Sequence, residues 1–280
     1  MDPAEIPQII QQLSTAIGEY RNVNSLTVAA MVVMIFDWLL TFEMEVSYIW
    51  QAPWNMMKVL YLFSRYLAFI DVTVAIIFGF VVTLPVESCS RIFQCAAVMY
   101  CIGMGVADII FTLRTWVVWG RKRHFGIALA IFYVVAWLTF VIPVAFYLKS
   151  LFYVTSPLPQ LLGCAPQSPS TLFSISFAGA MAFDLVMLIL MAIRAMSLFR
   201  SGNSDLIKVI LRDGIIYYVY TFIISALNFF VILKLSKDYA DLLLTMERVL
   251  RSVLSCRVIL HIRQQGEHVV GTRKGPELPK

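Results

Sequence analysis

The chain has 280 residues, of which 60% are hydrophobic and 14% charged, with a formal net charge of +5 and a mean hydropathy of +0.81. That balance excludes an ordinary soluble domain, where about a quarter of residues are charged, and fits one polytopic membrane domain better than two soluble ones. The basic residues are scattered between apolar runs, so they read as topogenic charge and not as a nucleic-acid surface.

Residues 1–24 form a polar lead, with Asp2, Glu5 and Glu19 against Arg21. No basic segment precedes a short apolar core, so no cleaved signal peptide is expected and the first helix inserts as its own signal. Then come two long apolar runs, 26–48 and 56–84, joined by a short polar stretch holding Pro53, which can start a helix but not continue one. Either run is long enough to cross about 30 Å of hydrocarbon at about 1.5 Å per residue. Asp37 interrupts the first and Arg65 the second. A charge at bilayer depth is costly and normally faces the bundle to find a partner. For a turn near Ala52, Asp37 stands fifteen residues before it and Arg65 thirteen after it, so an antiparallel hairpin brings them to similar depth. One reading pairs them directly. In the other, Arg65 serves Glu45 nearer the inner interface, while Asp37 meets a basic residue such as Arg257 on the last span. Thr41 and Glu45 follow Asp37 at spacings of four, extending one polar stripe.

Five further candidate spans cover 91–119, 125–148, 172–199, 213–235 and 239–262. The last carries Glu247, Arg248, Arg251 and Arg257 and has two readings, an inserted span or an amphipathic helix on the membrane surface. Pro143 is expected to kink the fourth span. Four prolines between 149 and 170 exclude a helix there and stiffen a loop that could cover an outer pocket. Residues 201–204 read as a turn, and 205–212 as a short interfacial helix. With the N-terminus outside, the inner segments hold eleven Lys and Arg, among them Lys58, Arg121, Lys122, Arg123 and Arg212, and the outer segments five. That bias predicts an outside N-terminus and a cytosolic C-terminus. Trp50, Trp54, Trp116 and Trp119 fall at the inner headgroup level.

Asp37, the Glu45-Val46 pair followed by Trp50, and Arg65-Tyr66 resemble the signature of a fungal, basidiomycete-type family of seven-helix integral membrane proteins. That family is defined by an N-terminal domain of unknown function, DUF6533-like. The resemblance continues through Leu113-Arg114, Arg212-Asp213-Gly214 and 257–263. It implies an all-α, seven-transmembrane-helix bundle of receptor-like topology over 25–263, a signature domain at about 25–70 and a short cytosolic tail at 264–280. It implies no activity.

Of the five cysteines, Cys89 and Cys164 fall in the outer segments, where a disulfide could tie the long loop to the top of the third helix. Cys95 is the competing partner for Cys164. The spans hold Asp37, Asp71, Asp108 and Asp184, with Arg65, Arg114, Arg194 and Arg251 as candidate partners. Three readings stand for them: structural ion pairs; a polar ligand cavity lined by Asp71, Asp108, Asp184 and Arg251; or a proton or cation path. Glu247 and Arg251, four apart, are accounted for by pairing along one helix. No HExxH, GxSxG, P-loop or CxxC occurs, so no enzyme, cofactor or metal site is expected. The expected protein is a multi-pass receptor or sensor, more at the plasma membrane than in internal membranes. Its partners are the lipid bilayer, a small ligand of unknown kind and a cytosolic protein at Arg114, Arg121–Arg123, Arg212 and Asp213. A carrier using the mid-membrane acids is the alternative, and an intramembrane enzyme the second.

Overall fold

The computed structural model describes residues 6–81, 86–150, 152–154, 165–167, 171–200, 205–234 and 243–273. Seven long helices make the fold: α1 (Ile6–Glu45), α2 (Met56–Phe80), α3 (Val86–Val118), α4 (Arg123–Ser150), α5 (Thr171–Arg200), α6 (Asp205–Lys234) and α7 (Leu244–Arg273). Two short strands, β1 (Phe152–Val154) and β2 (Ala165–Gln167), form an antiparallel pair with Tyr153 opposite Pro166. Strand β1 leans on α3.

Consecutive helices pack against one another around a ring that α7 closes against α1; α7 also reaches α2 and α3, and α3 reaches α5. Six helices are long and apolar enough to cross a membrane. Large apolar side chains such as Phe36, Leu39 and Ile131 point outward, each more than 60% exposed. In water such a surface would aggregate; against hydrocarbon it is at home. The protein is an integral multi-pass membrane protein.

The seventh helix inverts that pattern. Glu247, Arg248 and Arg251 are at most 1% exposed, as are Val249, Ser255, Cys256 and Leu260. A helix lying on the bundle surface could not bury that face, so α7 is an interior element enclosed by α1, α2, α3 and α6. Small side chains let it approach α2 closely: Ser64 and Ser255 share a hydrogen bond of 2.9 Å, and Ser252 donates to the Ser64 carbonyl at 2.7 Å.

The helix ends explain where the chain turns. The first helix passes into a single π-helical turn, Val46–Trp50, where Lys58 Nζ donates to the carbonyls of Trp50 at 3.0 Å and Ala52 at 2.8 Å. Asn55 then caps α2, its side chain accepting from Lys58 N at 2.8 Å. Lys58, read as topogenic charge, is therefore a buried cap. At the end of α3, Gly120 N donates to Val117 O at 3.0 Å and Arg121 N to Trp116 O at 3.2 Å, with left-handed φ of 80° and 54°. These two bonds make a Schellman termination. Inside α4, Pro143 supplies no N–H to the preceding turn, and Ser176 on α5 donates to the nearby Phe140 carbonyl at 3.1 Å.

The polar lead, whose conformation the sequence left open, is largely helical, since α1 begins at Ile6 and at 40 residues spans roughly 60 Å, twice the hydrocarbon thickness. Its N-terminal half is held where Tyr20 and Asn24 both donate to the Gly79 carbonyl, at 2.6 and 2.7 Å. Residues 205–212 are not a separate interfacial helix but the first turns of α6. No proline or glycine interrupts that stretch before Gly214, so nothing stops the helix.

Candidate functional site

Two ionic clusters occupy the interior, both built on α7. The nearer to its start is centred on Arg251, 1% exposed. Its guanidinium meets Asp108 of α3 at 2.6 Å, Asp184 of α5 at 2.5 and 3.2 Å, and Glu247 one turn earlier at 3.2 Å. It also donates to Ser225 of α6 at 2.7 Å, and the Ser225 hydroxyl lies 2.5 Å from Asp184 and 3.0 Å from Glu247. Asn228 donates to the second oxygen of Glu247. Beside this cluster, Arg248 Nε pairs with Asp71 of α2 at 2.9 Å. The guanidinium lies over Gly103, and a Cβ there would fall on it, so only glycine leaves it room. Among the described residues, Arg248 Nη1 and Nη2, Asp71 Oδ1 and Asn228 Oδ1 have no hydrogen-bond partner.

The second cluster sits under the α1–α2 turn. Arg257 Nε meets Asp37 at 2.6 Å, whereas Arg65 reaches Asp37 only at 3.8 Å and lies 3.1 Å from Glu45. The remaining guanidinium nitrogens of Arg65 donate to Tyr61 at 3.0 Å and Thr41 at 2.5 Å. Tyr66 and Trp50 both donate to Glu45 Oε1, at 2.7 and 3.2 Å. Of the two readings of the hairpin, the one assigning Arg65 to Glu45 and Asp37 to Arg257 describes the tight contacts. The direct Asp37–Arg65 pair is the longest of the three. Six residues further along α7, Arg263 donates to the Tyr48 carbonyl at 2.5 Å and to Asn55 at 3.1 Å.

The structure therefore joins all five signature residues, Asp37, Glu45, Trp50, Arg65 and Tyr66, in one network. It brings Asp108, Asp184 and Arg251 into the other, as an ion-pair core that Arg251 fills itself, and leaves Asp71 beside it on Arg248. The cavity beside it, about 20 Å³, has room for one water; Asp108, Tyr133 and Trp137 line it. Sequence reasoning treated Glu247–Arg251 as pairing along one helix and missed Arg248, Ser225 and Asn228. The available signal was the run of charges at 247, 248 and 251, too dense for a lipid-facing helix unless other helices supply acids.

At the turn between α3 and α4, Arg121, Lys122 and Arg123 are exposed. Arg114, expected alongside them, is instead buried, its guanidinium over the Tyr217 ring at 5.8 Å. Four residues before the helix end, it points into the bundle. The side chains of Arg212 and Asp213, and the Cys89–Cys164 bridge, lie outside the described residues; Cys95, Cys101 and Cys256 are free thiols. Among the described residues no group of three His, Cys, Asp or Glu is placed to hold a metal.

Residues 25–70 match the model of a family of unknown function (DUF6533), so the N-terminal part of the chain carries a DUF6533-like domain. All five signature residues fall within it. No curated protein matches the chain.

Proposed function

We propose that this protein, with its DUF6533-like domain, is a seven-span membrane sensor of receptor-like topology at the plasma membrane, with its N-terminus outside and C-terminus in the cytosol. The observation that carries the reading is that both ionic clusters share α7. Arg248 and Arg251 engage α2, α3 and α5 in one half of the interior. Arg257 and Arg263 hold α1 and its turn in the other half. A shift of α7 by part of a turn breaks contacts in both, and packed interfaces of this kind switch between discrete arrangements instead of deforming smoothly. The exposed Arg121–Arg123 turn offers a cytosolic partner a basic surface, and a Cys89–Cys164 bridge would hold the β-hairpin on the outer end of α3. A carrier is the second reading, favoured by the surplus of acids around Arg251.

The two readings separate in reconstituted protein. An environment-sensitive label at Lys122→Cys, followed during a solute screen, should shift with a ligand while proteoliposomes accumulate none of it. Saturable accumulation that disappears in Asp184→Asn would replace the sensor by the carrier.

A further inference from the structure

The Arg251 cluster is unbalanced. Asp108, Asp184 and Glu247 contact one guanidinium, three carboxylates against a single positive charge, at 2.5–3.2 Å. The neighbouring Arg248 is matched by its own acid, Asp71, and so corrects nothing. A formal charge of −2 held among α3, α5, α6 and α7 in hydrocarbon is untenable: each unpaired buried charge carries a desolvation cost of several kcal/mol. Something positive must bind. A metal cation is disfavoured because the Arg251 guanidinium already occupies the point where the three acids converge. An anion would worsen the imbalance. A proton on one acid halves it, to −1, without needing space.

Hydrogen bonding tells which acid takes it. Both oxygens of Asp184 accept from Arg251, and one of them also faces Ser225. Glu247 accepts from Arg251 at one oxygen and Asn228 at the other. Both acids therefore have a donor on each oxygen. Asp108 is served once, by Arg251 Nη1 on Oδ1 at 2.6 Å, and no described residue donates to Oδ2. It is also the most accessible of the three, its side chain 19% exposed, and it lines the one-water cavity, where the buried Trp137 Nε1 likewise lacks a partner. In the same cluster the Asn228 amide, 1% exposed, keeps an oxygen with no donor. The titratable and charged groups turned toward Asp108 are Tyr133 of α4, Asp184 of α5 and Arg251 and Glu247 of α7. Ser225 and Asn228 of α6 meet Asp184, Glu247 and Arg251, and Asp71 of α2 is held by Arg248.

We infer that Asp108 is a proton-binding site, loaded by a hydronium ion that leaves a water in the adjoining cavity. Resting on the sensor reading, proton uptake there is the input that α7 relays to the inner face. Loading loosens the Asp108–Arg251 contact and leaves Arg251 shared by Asp184 and Glu247 alone.

Infrared titration of the purified protein in lipid nanodiscs tests this. The carbonyl stretch of a protonated carboxylic acid should be present in the wild type at acidic pH and vanish as the pH is raised. It should be missing throughout in Asp108→Asn and retained in Asp71→Asn. A wild type without such a band at any pH where it stays folded overturns the proposal, whether or not Asp108→Asn folds. A band unchanged in Asp108→Asn overturns it as well. The label at Lys122→Cys separates the two readings. A titrating band with no response of the label leaves the proton site standing and removes the sensor. A label that responds to some other solute, with no band, does the reverse.

Discussion

At the scale of single residues, burial ranks the three ion pairs under the α1–α2 turn more sharply than distance does. Arg65 and Glu45 are 4% and 0% exposed, so removing either strands a charge in the interior. Breaking such a pair typically costs about 3–5 kcal/mol. Arg257 is closer to its partner, 2.6 Å from Asp37, but its side chain is 38% exposed and partly solvated on its own. Losing that charged hydrogen bond is expected to cost about 1.5–3 kcal/mol. The 3.8 Å contact between Asp37 and Arg65 is the weakest of the three. Double-mutant cycles on unfolding in detergent, with Asp37→Asn, Glu45→Gln, Arg65→Gln and Arg257→Gln, should rank the couplings Glu45–Arg65, then Asp37–Arg257, then Asp37–Arg65. A largest coupling between Asp37 and Arg65 would restore the direct hairpin pair.

At the scale of elements, the outer end of α3 should carry a covalent tie. Strand β1 rests on α3, whose first turn includes Cys89, and the segment between β1 and β2 includes Cys164. Non-reducing peptide mapping should recover Cys89 linked to Cys164. The bond should contribute about 2–4 kcal/mol, lost on Cys164→Ser. Both cysteines free, or Cys164 joined to Cys95, would refute the bridge. The elements also show what sequence could and could not say. Helices α2–α6 and the membrane part of α1 were legible because long apolar runs have one plausible use. The outer extension of α1 was not, because its polar residues satisfy a helix and a solvated lead equally well. The density of charge on α7 could equally mean a surface helix. Its burial makes energetic sense only once Asp37, Asp71, Asp108 and Asp184, spread over four other helices, are seen meeting its arginines. The sequence grouped Asp71, Asp108, Asp184 and Arg251 as a cavity lining, but only the packing shows that Arg251 itself fills the centre between Asp108 and Asp184, with Asp71 held by Arg248.

At the scale of the whole molecule, the bundle turns the usual rule for soluble proteins inside out, with its apolar side chains outermost and its charges at the centre. Pairing reconciles those charges with a bilayer, and α7 supplies bases to both clusters, joined in the second by Arg65 of α2. Its 30 residues extend about 45 Å, enough to cross the hydrocarbon with length to spare. If α7 is the seventh span, the two chain ends lie on opposite sides of the membrane. Epitope tags fused before Met1 and after Lys280 test this most directly. The first should be accessible on intact cells and the second only after permeabilisation. Both tags on the same side would leave an even number of crossings and contradict a charged helix at the centre of a seven-span bundle.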